Sequence, residues 1–258
     1  MAIVTDQRIH VSVQIEGNTN SSFLNDLGVI YGPEHVLVYK VSLKRFIRLS
    51  DLPQSPASSF LKMGKGLLGN KPFFNNNSGE NSLESSEQKL FARKDLPHDT
   101  AAVHGQFTPN LFKGIFDNPF VSIILNDPLE RMITLYDEWT SFKGETDWRV
   151  NIPFDKNLLF TDFVYQDGFM NAQSKCLGNR RLGDYDLVGV SECQTGFIAQ
   201  LKNKDWTGYI DHTSNGYQLD KPRYKNLGIT PEFLEEFKIA NQMDYSIHQQ
   251  AKEFIGYC

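Results

Sequence analysis

Residues 121–139, VSIILNDPLERMITLYDEW, constrain the fold more than any other stretch of the chain. Ser122 to Leu125 form a short apolar, β-branched run that reads as a buried strand. Asp127 then offers an N-cap oxygen, Pro128 stands at the first helical position, and Glu130 falls three residues after the cap. Leu129, Met132, Ile133, Tyr136 and Trp139 follow at helical spacing. A strand that feeds a helix N-terminus leaves backbone N–H groups and a positive dipole end at the sheet's carboxyl edge, which can take an anion. The same junction also serves as an ordinary connection in α/β proteins that bind nothing there.

The flanking segments extend the pattern. Arg8 to Ile15 alternates, with Ile9, Val11, Val13 and Ile15 on one side, and predicts a strand. A polar turn, GNTNSS at 17–22, leads into a helix over Ser21 to Tyr31 that Gly32-Pro33 stops. Val36 to Val41 is a second strand, so residues 8–41 form a βαβ unit and imply a parallel sheet. A strand is expected over 101–107 and another over 186–190. Helices are expected over 161–177, 192–202, 231–239 and 241–256. Residues 140–160 look irregular, and no internal repeat is visible. The whole chain, 1–258, reads as a single α/β domain, with helices on both faces of a doubly wound parallel sheet. Ser50 to Gln88 interrupts it with the run NNNSGENSLESSEQ, too polar to bury a core of its own. This insertion at about 50–90 reads either as a lid over a site or as a solvated excursion without a role.

Composition narrows the function. A formal charge of −5 argues against nucleic acid or an acidic membrane surface as the main partner. Three cysteines, Cys176, Cys193 and Cys258, are odd in number and lack CxxC spacing, so a disulfide framework is not expected and a cytoplasmic location is. No stretch approaches the roughly 18 consecutive apolar residues of a membrane span. The six histidines are scattered away from any Cys or carboxylate set at metal spacing, so no metal is expected.

The order of residues in 121–139 resembles the 3′-phosphate-binding segment of sulfotransferases that use phosphoadenosine phosphosulfate (PAPS), L-R-D-P-x-x-R-x-x-S-x-Y. Leu125, Asp127, Pro128, Arg131 and Tyr136 match; Asn126 stands where the family has Arg, and Thr134 replaces Ser. The loop before the first helix is similar to P-K-T-[AG]-[GT]-[TS]-S, with Gly17 at the Lys position and Asn20, Ser21 and Ser22 over the small and hydroxyl positions. VHGQF at 103–107 resembles the H-G-H of the uronyl 2-O-sulfotransferase-like branch, with Gln106 for the second His. NAQSKCL at 171–177 is similar to N-x-Q-[ST]-x-x-L. Gly189, Ser191 and Glu192 match v-G-x-[TS]-E, and Asn241 and Asp244 match a closing N-x-x-D. The likeness covers most of the chain outside the insertion.

This resemblance implies a P-loop-like fold of the sulfotransferase type, PAPS as cofactor, PAP as product, and a saccharide or small-molecule acceptor. It implies that His104 deprotonates the acceptor hydroxyl, a role suited to a neutral imidazole. Thr19, Ser21 and Ser22 would hold the 5′-phosphate, and Asn126, Arg131 and Thr134 the 3′-phosphate. Arg223, in the basic KPRYK run at 221–225 expected as a loop, would help clamp the latter. Read as residues alone, Ser21 and Ser22 equally serve as helix N-caps, His104 as a core histidine, and Arg131 as a partner of Asp127 or Glu138. Gly17 and Asn126 remove two cations that the family uses, and losing one such electrostatic stabiliser costs about 100- to 1000-fold in rate. The alternative is a degenerate relative that keeps the fold without catalysis and acts as a binding module. Acceptor identity and oligomeric state are open.

Overall fold

The computed structural model describes residues 8–15, 21–40, 45–52, 96–107, 115–141, 155, 157–166, 168–177, 180–203 and 221–256. The expected insertion at about 50–90 lies almost wholly outside them, as do residues 142–154 and 156 of the stretch 140–160 expected to be irregular.

The sheet contains β1 (His10–Val13), β2 (Val36–Lys40), β3 (Arg45–Arg48), β4 (Ala102–Gly105), β5 (Phe120–Leu125) and β6 (Leu187–Val190). Their order across the sheet is β3-β2-β4-β1-β5-β6. Five strands are parallel and β3 runs antiparallel to β2. The sheet is therefore mixed, not wholly parallel. The reason is local: residues 41–44 join β2 to β3, far short of the dozen or so residues that a parallel crossover needs. The βαβ unit is present, but β4 inserts between β1 and β2 rather than leaving them as neighbours.

Helix α1 (Ser21–Tyr31) follows β1, and α2 (Pro128–Ser141) follows β5. The expected helix over 161–177 is two short helices, α3 (Phe160–Phe163) and α4 (Ala172–Leu177). Between them Gly168 and Asn171 take positive φ of 92° and 52°, which no helix tolerates. After β6 come α5 (Gln194–Asn203), α6 (Lys221–Asn226), α7 (Pro231–Ala240) and α8 (Gln242–Phe254). The KPRYK run thus lies on a helix and not in a loop.

Strand alternation sorts the core into two faces. Val11, Val13, Leu37, Tyr39, Val103, Val121, Ile123, Leu125, Val188 and Val190 point toward α4 and α8, meeting Leu177, Ala251 and Ile255. Val36, Ala102, Phe120 and Leu187 point the other way, toward Phe23 and Leu27 of α1 and Phe197, Ile198 and Leu201 of α5. Gly189 lets α5 approach: a Cβ there would lie 2.5 Å from the Phe197 ring. A separate aromatic cluster, with Trp139, Phe160, Phe163, Phe169, Phe233 and Phe237, joins α2, α3 and α7 beside the sheet. Thr230 caps α7 by accepting from Phe233 N–H, with Pro231 in the first turn.

Candidate functional site

The chain leaves β1 through α1 toward β2 on one side, and leaves β5 through α2 toward β6 on the other. Neighbouring strands whose exits diverge open a crevice at their carboxyl ends, the usual ligand position in such sheets. The residues bordering this switch point are Gln14 after β1, Gly105 after His104, and Asn126–Asp127 after β5.

The β5–α2 junction folds as its sequence dictates, yet it satisfies itself. Asp127 Oδ1 accepts from Leu129 N–H (2.9 Å) and Glu130 N–H (3.1 Å). Arg131 N–H donates to Asp127 O, and Pro128 has no N–H to give. Asn126 N–H donates to Gln173 Oε1 at 2.9 Å, while Gln173 Nε2 donates back to Asn126 O at 2.8 Å. The backbone N–H groups of Asn126, Leu129, Glu130 and Arg131 are therefore committed. Glu130 adds a second carboxylate to the first turn and accepts from the Tyr224 hydroxyl at 2.7 Å. The positive end of the α2 dipole already faces two acidic side chains, which disfavours a further anion there.

Arg131 lies at the core of this junction and not on its surface. Its side chain is fully buried, and Nη2 donates to Phe169 O at 2.7 Å. Arg131 therefore supports the turn before α4. Thr134 is half-buried and its hydroxyl donates to Glu130 O at 2.9 Å, one turn back along the helix. Asn126 is half-buried at the edge of the crevice.

Gln173 is held in turn by a reciprocal capping network. Asp244, on α8 and fully buried, accepts from Gln173 N–H (3.1 Å), Ser174 N–H (2.8 Å) and the Ser174 hydroxyl (2.6 Å). Asn171 Oδ1 accepts from Met243 and Asp244 N–H, and Asn171 N–H donates to Asn241 Oδ1. Each helix start is thus capped by a side chain from the other. The five matching residues of the N-x-Q-[ST] and N-x-x-D segments meet in one place, and their combined effect is to fix the backbone of Asn126.

His104 sits on β4 with 4% exposure, its Nδ1 hydrogen-bonded with Ser12 Oγ at 3.0 Å and its ring 5.4 Å from Phe23 of α1. Gly105 after it allows β4 to pass Tyr39, whose Cβ would stand 2.7 Å from an added Cβ. A second histidine, His10, lies on the same face of β1 with 1% exposure. Its Nε2 is hydrogen-bonded with Ser122 Oγ at 2.6 Å. Burial, and secondarily the nearness of His104, lower its pKa from 6.5 to about 3. The alternating HVSV pattern offered the signal for His10, which pairs a polar residue with each inward position of β1.

Just beyond β6, Glu192 meets Lys252 Nζ at 2.9 Å and His248 Nε2 at 3.3 Å. Burial raises the Glu192 carboxyl, but the hydrogen bonds from His248 and Lys252 outweigh it and hold the group at about 2. This cluster ties β6 to α8. Thr19 lies outside the described residues. Ser21 and Ser22 open α1, whose first turn carries no acidic residue. Arg223 lies on α6, and the side chains of all three fall outside the described set. Among the described residues no group of His, Cys, Asp and Glu could hold a metal ion, and no helix is long and apolar enough to cross a membrane.

No protein-family model matches the chain, and no curated protein matches it.

Proposed function

We propose that this chain is a sulfotransferase-like α/β protein, P-loop-like in type, that binds PAPS at the β1/β5 switch point and transfers its sulfonate to a hydroxyl of a saccharide or small molecule. The carrying observation is the clamp on Asn126. Residues 171–174 and 241–244, each matched to a separate sulfotransferase segment, converge on the loop where that family binds nucleotide. Between the two helix starts at this edge, α1 suits an anion better than α2, because α2 faces Asp127 and Glu130 while the first turn of α1 has no acid. In the reaction, the acceptor oxygen attacks sulfur, the bond from sulfur to the bridging phosphate oxygen breaks, and PAP leaves. The hydroxyl proton passes to the His104 imidazole, which Ser12 orients. A cytoplasmic location and the absence of a nucleic-acid partner belong to this reading and rest on composition.

Isothermal titration with PAP tests it. Micromolar binding, weakened at least tenfold by Ser22→Ala, supports the nucleotide site. No heat at millimolar PAP removes the enzyme reading. A second reading, a binding module that keeps the fold without catalysis, rests on a specific observation: Arg131 is buried, the α2 N–H groups are committed, and neither Gly17 nor Asn126 supplies a cation.

A further inference from the structure

His10 and His104 are buried in the one sheet face that α1 covers, at opposite ends of that helix. The His10 ring lies 5.5 Å from Tyr31 in the last turn, and the His104 ring 5.4 Å from Phe23 in the first. Ser122 and Ser12 hydroxyls pair with them, at 2.6 and 3.0 Å. A hydroxyl can serve a neutral imidazole as donor or acceptor, but it cannot neutralise an imidazolium. The charged groups on the elements around His10 are engaged elsewhere. Arg8, over the Phe120 ring, pairs with Asp186 at 2.8 Å. Asp26 of α1 pairs with Lys202 of α5, and His35 beyond α1 lies near Glu34 and Asp99. Tyr31, the other titratable group against His10, has its phenol pushed up by burial and stays neutral.

The helix above them is weakly self-supporting. Gly28, Val29 and Ile30 lower its intrinsic stability, and it has no acid in its first turn and no base in its last. It attaches through Phe23 and Leu27, with Ile30 and Tyr31 packed against the same cluster, on the face shared with the imidazoles.

We propose that α1 is an acid-released element: protonation of His10 detaches it from the sheet while the α8 side stays folded. Opening would admit water to the His10 ring and let it take a proton, so the open form gains population as pH falls. For His10 alone, a change from its ordinary 6.5 to about 3 on burial makes opening about 25-fold more favourable at about pH 5 than at about pH 7. The inference holds whether or not nucleotide binds.

Amide hydrogen exchange on the full chain at those two pH values, corrected for intrinsic rate, is the test. Peptides from 21–31 should lose at least tenfold in protection at the lower pH, while peptides from 242–254 keep theirs. Equal protection of α1 at both pH values, or parallel loss in α1 and α8, overturns the proposal. His10→Asn should flatten most of the pH dependence. If that variant does not fold, the wild-type comparison still decides. A dependence that persists in the His10→Asn/His104→Asn double variant also overturns it.

Discussion

The two faces of one sheet are built differently. The face toward α4 and α8 is apolar from β2 to β6, and the polar groups near it are gathered at the strand ends, where Asp244 and Glu192 are each met by several donors. The face toward α1 and α5 carries a row of His10, Ser12, His104 and Ser122 through its middle. Both faces exclude water, yet the first meets Asp244 and Glu192 with N–H donors and opposite charges. The other sets His10 beside a hydroxyl, and burial keeps its imidazole neutral. A carboxylate surrounded by donors gains from ionisation, whereas an imidazole beside a hydroxyl loses by it.

The contrast can be broken most severely at Asp244. Asp244→Ala leaves the buried Gln173 and Ser174 N–H groups without an acceptor, while the Ser174 hydroxyl keeps Asn171 O; at 1–3 kcal/mol each the loss should be roughly 4 kcal/mol in urea unfolding. A cost under about 1 kcal/mol would mean that α4 and α8 are joined by packing alone. Ile123→Ala on the face toward α4 and α8 should cost about 3 kcal/mol.

Acid separates the faces without mutation. The folded pKa of His10 lies below its unfolded one, so its contribution is complete above about pH 6.5 and shrinks as pH falls toward about 3. Unfolding free energy should therefore drop by about 2 kcal/mol between pH 6.5 and pH 5. Glu192 is also depressed, so its contribution is present above 4.5 and lost as pH falls through about 2. The α1 face should thus weaken first and the α8 side later. Denaturation curves in small pH steps would resolve two limbs, and a single limb beginning below pH 4.5 would remove His10 from the account. The smallest effect is expected from Ser122→Ala, next to Ile123 on the same strand. It removes one hydrogen bond to a neutral ring and should cost about 1 kcal/mol.

Much of this was legible in the sequence wherever the cause is local. Asp127 caps α2 as its spacing with Pro128 and Glu130 foretells, and the bounds of α1 follow from Ser21 and Gly32. Features that depend on distant partners were not. Nothing in DGFMNAQSKCL reveals that Asn171 turns left-handed, because α8 supplies the reason when Met243 and Asp244 donate to its side chain. Arg131 stands where the sequence resemblance implies a phosphate contact, and its burial is decided by the Phe169 carbonyl that the turn before α4 brings against it. The row of histidines was half visible: His104 stands out beside Gly105, whereas His10 lies inside an ordinary alternating strand.

The clamp on Asn126 has a consequence for synthesis. Its anchor, Asp244, leaves the ribosome long after β5 and α2 have emerged, so the carboxyl edge of the sheet cannot reach its final shape while the chain is being made in order. The nascent molecule must wait with β1, β4 and β5 available and their edge unfinished. A stall anywhere between α4 and α8 would leave that half-built state exposed to chaperones and proteases.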